Sequence, residues 1–166
     1  MKKVDPKSIS QNVFAAIDDQ WMLLTAGDKN KANTMTASWG GMGVLWNKNV
    51  VTVYVRPQRY TYEFMEKGET FTVAFFGEEW RDALKLCGAK SGRDVDKARE
   101  CGFTLAYGEG DAPYFEEAQL VLVCKKLYFD DIEPGHFLAA DIDEKNYPKK
   151  DYHRMYIGEV LEVLEA

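Results

Sequence analysis

The segment from Val50 to Arg56, VVTVYVR, constrains the fold more than any other. Its β-branched and aromatic residues suit a pleated, half-buried surface. A period of two puts Val51, Val53 and Val55 on one face and Thr52, Tyr54 and Arg56 on the other. The segment predicts a strand. Trp21 to Ala26, Thr34 to Trp39, Thr70 to Phe76, Ala118 to Phe129 and Arg154 to Leu164 have the same character, the last two being long enough to bend or carry a bulge. About six strands follow, a usual size for one sheet.

Helical signals fall between these runs. Tyr60 to Lys67 predicts a short helix closed by Gly68, and Glu78 to Leu86 predicts another, ended by Gly88. Asp94 to Cys101 predicts a third, with Ser91 and Asp94 in the S-x-x-D form of a capping box. Gly108 to Pro113 reads as a turn and Asp130 to Tyr147 as loop. Strands and helices do not alternate regularly, which disfavours a parallel doubly wound sheet. The expected fold is mainly β with peripheral helices: an antiparallel, barrel-like sheet whose edge or mouth offers a groove for a ligand. No repeat or linker divides the chain, and 46% hydrophobic residues among 166 suffice for one core, so a single domain over 1–166 is expected.

Charge narrows the partners. Lys and Arg number 21 against 27 Asp and Glu, a net charge of -6, and the basic residues are scattered. A nucleic-acid or anionic-membrane partner needs a positive surface field, so neither is expected. Cys87, Cys101 and Cys124 form no C-x-x-C pair and read as free thiols of a reducing compartment. The first residues, MKKVDPKSISQNVFAAID, contain no continuous apolar run, and a cytoplasmic location is expected.

Three clusters could carry chemistry. Arg56 ends a strand, Pro57 bends the chain, and Arg59, Tyr60 and Thr61 open the next helix. Guanidinium, hydroxyl and helix N-terminal N–H donors could there converge on one phosphate. Pairing of both arginines with Glu63 or Glu66 explains them equally well, and chemistry alone leaves both readings open. The run Asn33 to Trp39, NTMTASW, supplies hydroxyls among small and apolar residues, as the wall of a flat heteroaromatic ring would, or as an ordinary half-buried strand would. Asp151, His153 and Tyr156 lie together ahead of Gly158, which could mark a bulge. His153 suits a general acid, a ligand donor or a structural residue. His136 lies in an EPGHF turn that suits solvent, and the two histidines do not suggest zinc. Metalloprotease, hydrolase-elbow, Walker and dinucleotide glycine motifs are missing, and GGMG at Gly40 to Gly43 lacks the required spacing.

Read in order, NTMTASWGGMGVLW, VYVRPQRYTYEFM, FTVAFF, CGAKSGRDVDK and DYHRMYIGEV span nearly the whole chain. They resemble the flavin reductase-like family of FMN-binding split barrels, and its flavoredoxin-like branch most closely. The resemblance implies that Met35, Thr36, Ala37, Ser38 and Trp39 line the isoalloxazine and ribityl chain. It places Arg56, Arg59, Tyr60 and Thr61 near the phosphate, and Ser91, Gly92, Arg93, Asp94 and Lys97 in a loop that approaches the flavin. His153 matches a histidine near the nicotinamide or the flavin edge, a catalytic candidate. Tyr152 separates it from Asp151, where many reductases have aspartate immediately before the histidine. Ala74 stands where many have asparagine. The implied activity is an FMN-binding oxidoreductase that takes reducing equivalents from NADH or NADPH and passes them on. The alternatives are a flavoredoxin-type carrier with tightly held FMN, serving a redox protein partner, and a flavin-free binding module. The resemblance also implies a homodimer.

Overall fold

A computed structural model describes all of residues 1–166. Ten strands build it: β1 (Lys2–Val4), β2 (Met22–Gly27), β3 (Ala32–Ala37), β4 (Gly40–Leu45), β5 (Lys48–Val55), β6 (Thr70–Phe75), β7 (Leu105–Tyr107), β8 (Pro113–Phe115), β9 (Leu120–Asp131) and β10 (Arg154–Glu165). The α-helices are α1 (Tyr60–Lys67), α2 (Arg81–Ala89), α3 (Lys97–Cys101) and α4 (Ala140–Asn146). Eight strands form one antiparallel sheet in the order β3-β2-β6-β9-β10-β5-β4, with β1 added beside β10, while β7 and β8 form a separate hairpin.

The sheet curls but is not closed by hydrogen bonds: β3 and β4 are its two ends, joined along the chain only by Ser38 and Trp39. The result is a split barrel. Val51, Val53 and Val55 are buried, as their alternation predicts, in an inner cluster with Phe71, Val73, Phe75, Leu122 and Tyr156. Each such valine contributes roughly 1.5–3 kcal/mol. The opposite face of β6 and β9 presents Ala74, Val121 and Val123 to a second cluster with Leu84, Cys87, Phe103 and Phe115, beneath α2, α3 and the hairpin. Burial on both faces explains why the central strands read as nearly continuous apolar runs.

Strand β10 is the pivot. It pairs with β9 along its length, with β5 over its first half and with β1 at its end. Its register against β9 shifts at Ile157/Gly158 and again at Val160/Glu162. Gly158 marks the first irregularity, as expected: a Cβ there would lie 2.5 Å from Phe71 and 2.9 Å from Cys124.

Three local expectations need correction, and β4 adds a strand to those expected. GGMGVL forms β4 despite its glycines because Trp46 and Asn47 both adopt positive φ, 52° and 59°, the geometry of a tight hairpin onto β5. The second helix begins as a 3-10 turn at Glu78–Trp80 and runs through Gly88 to Ala89. Gly88 lies inside the helix rather than stopping it, and a Cβ there would make only ordinary contact with Thr36, at 3.4 Å. α3 starts at Lys97 with Asp96 as its cap, accepting from Arg99 N, while Ser91 only turns the chain by accepting from Arg93 N. The stretch read as loop contains the end of β9, a 3-10 turn at Pro134–His136 and all of α4.

Candidate functional site

The turn from β5 into α1 brings the first site elements together. Arg59 is the N-cap of α1, yet no side chain caps the helix, and Tyr62 N–H turns back to Arg59 O. Caps are ordinarily Ser, Thr, Asp or Asn, whose oxygen accepts from the first N–H groups, and a cation at this end opposes the helix dipole. The Arg59 guanidinium donates to Gly88 O at 2.9 Å and makes no ion pair. Burial, and then the neighbouring Arg56, lower its proton affinity.

Lys97 lies beside it. Only 6% exposed, its ammonium donates to Thr34 O at 2.7 Å and Cys87 O at 2.8 Å, with no carboxylate partner. Burial pushes its pKa down to about 8. These two cations, Thr61, Lys90, Ser91 and Gly92 enclose a pocket of about 190 Å³. Asn33 forms its back wall, donating to Thr61 Oγ1 at 2.8 Å and so tying β3 to α1. A Cβ on Gly92 would lie 1.8 Å from Asn33 Oδ1, so the loop approaches this closely only because residue 92 is glycine.

Met35, Gln58 and Arg59 also line a larger groove of about 400 Å³ that runs away from the pocket. Thr36, Ala37, Ser38 and Trp39 form one wall, Tyr54 and Arg56 another, and His153 one end. The hydroxyls of the TMTAS run are not equivalent. Thr34 Oγ1 donates to Leu24 O and Thr36 Oγ1 to Leu84 O, so both tie β3 into the fold. Ser38 makes no such bond and faces the groove. Trp39, 45% exposed at the rim, lies 5.0 Å from the His153 ring.

His153 is 8% exposed, with Nδ1 paired to Tyr147 Oη at 2.9 Å. Burial and the Arg56 charge push its pKa down to about 4, so its ring is neutral at physiological pH. Arg56 is turned toward the C-terminal segment. It donates to Asn146 O at 2.8 Å, at the C-terminal end of α4, packs over the Tyr147 ring at 5.1 Å, and lies 2.7 Å from Asp151 Oδ1. That ion pair is out of hydrogen-bond alignment, leaving Oδ1 buried without a hydrogen bond, while Asp151 Oδ2 accepts from Gln58. Tyr152 points away to Asp143. Asp151 therefore serves Arg56 rather than His153.

The residues singled out in the sequence thus surround the start of α1 without sharing one cavity. Met35, Thr36, Ala37, Ser38, Trp39, Arg56, Arg59 and His153 line the groove, whereas Tyr60, Thr61, Ser91, Gly92 and Lys97 line the pocket with Met35 and Arg59. Arg93 and Asp94 face a separate cavity of about 500 Å³ behind Gly92 and Lys97. Arg93 is paired there with Glu63 and packs over Tyr60. Neither Arg56 nor Arg59 pairs with Glu63 or Glu66; the latter bonds Arg154 and Tyr156. Sequence reasoning missed Asn33, Gln58, Lys90 and Tyr147. Asn33 heads the quoted NTMTASW run and could have been found there, but Tyr147 reaches His153 from a segment with no pattern of its own.

A groove with a flat, half-apolar body and a buried cationic end matches an aromatic ligand with an anionic tail. Among curated proteins none matches the chain. Among solved structures, the flavoredoxin from Methanosarcina acetivorans is 27% identical, with 100% of this chain and 76% of that one covered and a TM-score of 0.70. An FMN-binding protein from Thermus thermophilus is 19% identical over 99% of this chain and 80% of its own, with a TM-score of 0.69. An NADH:FAD oxidoreductase from Streptomyces globisporus C-1027, solved with NAD and FAD fragments, is 18% identical over 89% and 74%, with a TM-score of 0.65. At these last two identities the likeness concerns the fold. The family model described as flavin reductase like domain matches residues 14–166, and the chain belongs to that family.

Proposed function

We propose that this protein is an FMN-binding oxidoreductase that takes reducing equivalents from NADH or NADPH and passes them to an acceptor. One observation carries the reading: the half-buried Arg59 and the buried Lys97 are two cations without a carboxylate, set against an uncapped helix N-terminus. Isolated buried charge is costly, so the arrangement calls for an anion from outside the chain. The residues fit FMN. Arg59, Lys97, Ser91 and the Thr61 hydroxyl would hold its phosphate, and the wall from Met35 to Trp39 would lie along its ring. FMN bound there would supply the redox chemistry.

The chain supplies the rest. Arg56, clamped by Asp151 and Asn146 O, fixes one side wall of the groove. His153 keeps a neutral ring, which can donate a hydrogen bond from one nitrogen without carrying charge into the site. It is the candidate catalytic residue. Trp39 covers the rim and limits water. Arg93 and Asp94 shape the outer cavity. A second copy of the chain would cover the exposed apolar stripe of Val44, Leu45, Trp46, Tyr128 and Phe129, giving a homodimer; a single-copy mass in light scattering at micromolar concentration would remove that part of the proposal.

The likeness to a flavoredoxin favours a second reading, a carrier that holds FMN and exchanges electrons with a redox protein without efficient nicotinamide oxidation. One experiment separates the readings: the visible flavin absorbance of the purified protein, followed by NADH and NADPH oxidation with and without added FMN. Flavin-dependent oxidation supports the reductase. A flavin spectrum with no oxidation of either nucleotide supports the carrier, and no binding of FMN at all rejects both.

A further inference from the structure

Two thiols lie together outside the groove. Cys87, in the last turn of α2, is fully buried, and Cys101, at the end of α3, is partly exposed. Their sulfurs are 3.8 Å apart. Cys124 belongs to the inner cluster on the other side of the sheet, whereas Cys87 and Cys101 share the outer one, so the two face each other without a competing thiol. The chain between them carries Lys90, Ser91, Gly92 and Lys97, one side of the anion pocket, and the Cys87 carbonyl itself accepts from Lys97 Nζ.

We propose that Cys87 and Cys101 form a reversible disulfide that pins the anion-binding loop, with a hydroperoxide as oxidant. A bond of about 2.05 Å requires the sulfurs to close by somewhat under about 2 Å, within reach of side-chain rotation and a small movement of α3 against α2. The partly exposed Cys101 reacts first: its thiolate attacks the peroxide, giving the sulfenic acid and releasing hydroxide from hydrogen peroxide. The Cys87 sulfur then displaces water to form the S–S bond. In sum, two thiols and one hydrogen peroxide give one disulfide and two waters, the sulfurs losing two electrons and the peroxide gaining them. Burial raises both thiols above their usual pKa, Cys87 to about 12, so little of either is thiolate at neutral pH and the pair responds slowly. The new link closes a ring through the loop and removes conformations that an anion would otherwise have to select against.

The test treats the full-length reduced protein with hydrogen peroxide, alkylates the remaining thiols and maps peptides. The expected product joins the Cys87 and Cys101 peptides with the loss of two hydrogens, leaves Cys124 alkylated, slows amide exchange across residues 88–97, and is reversed by a dithiol. Its absence, or a link through Cys124, overturns the proposal; so does a Cys87–Cys101 link with unchanged exchange. Cys101→Ser, with Cys101→Ala as a second variant should the first fold poorly, retains reduced-state FMN affinity and abolishes the response. The consequence for FMN rests on the function proposed above and is read separately, as release from the oxidised protein slowed about fivefold or more. Failure of both states to bind FMN rejects the flavin reading, while mass and exchange still decide the disulfide.

Discussion

Arg56 and Arg59 lie three residues apart in one turn and have opposite surroundings. Arg56 is answered from within: Asp151 and the Asn146 carbonyl meet its guanidinium and Tyr147 lies beneath it. Arg59 meets only the Gly88 carbonyl, and its neighbour Lys97 meets only two more carbonyls. In a chain with 27 acidic residues, leaving those two cations without a carboxylate is informative. Charge near a groove says little by itself. Charge the protein has not neutralised says where a ligand's charge belongs.

The comparison is sharpest in binding. Lys97→Met or Arg59→Met should weaken FMN binding by about 1.5–3 kcal/mol each, roughly ten- to a hundredfold, in a fluorescence titration. Neither should lower the thermal midpoint of the ligand-free protein, because each removes a wholly or partly buried charge that no carboxylate compensates. Arg56→Met should behave the other way, costing about 1–2 kcal/mol of stability in urea unfolding once Asp151 and the α4 carbonyl lose their partner, with a smaller change in FMN affinity. If Arg56 and Arg59 variants behave alike in both measurements, the distinction drawn here fails.

Proton linkage provides a gentler test. The Lys97 pKa is lowered from 10.5 to about 8 in the folded protein, so its contribution to stability is complete above 10.5 and is lost as pH falls through 8. A bound phosphate favours the ammonium, so FMN affinity should decline as pH rises above 8. Titrations at several pH values should show that decline in the parent protein and its loss in Lys97→Met. His153, lowered from 6.5 to about 4, contributes stability that is present above 6.5 and lost as pH falls through 4. Thermal midpoints across that window should fall with acidification, and less steeply in His153→Gln. The smallest effect belongs to the exposed Arg93–Glu63 pair: Glu63→Gln should change stability by no more than about 0.5 kcal/mol and leave FMN affinity nearly unaltered.

Periodic features were readable in advance. The valines of β5, the span of α1 and the bulge at Gly158 follow from alternation, helix signals and a glycine beside bulky neighbours. The groove wall was legible in its residues, but not in which hydroxyls the fold consumes: that Thr34 and Thr36 are spent on Leu24 and Leu84 depends on contacts between distant elements. β4 escaped because its hairpin is set by a Trp46-Asn47 turn rather than by strand propensity. The same distance effect hid the role of Arg56, whose partners Asn146 and Asp151 come from the far end of the chain.

Trp39 gives the groove an optical readout. Its indole stands at the rim, nearly half exposed and beside His153. A yellow chromophore lodged along that wall absorbs where tryptophan emits, so occupancy should dim this indole most strongly. Trp39→Phe would isolate that signal from Trp21, Trp46 and Trp80, making the protein its own gauge of how full the groove is.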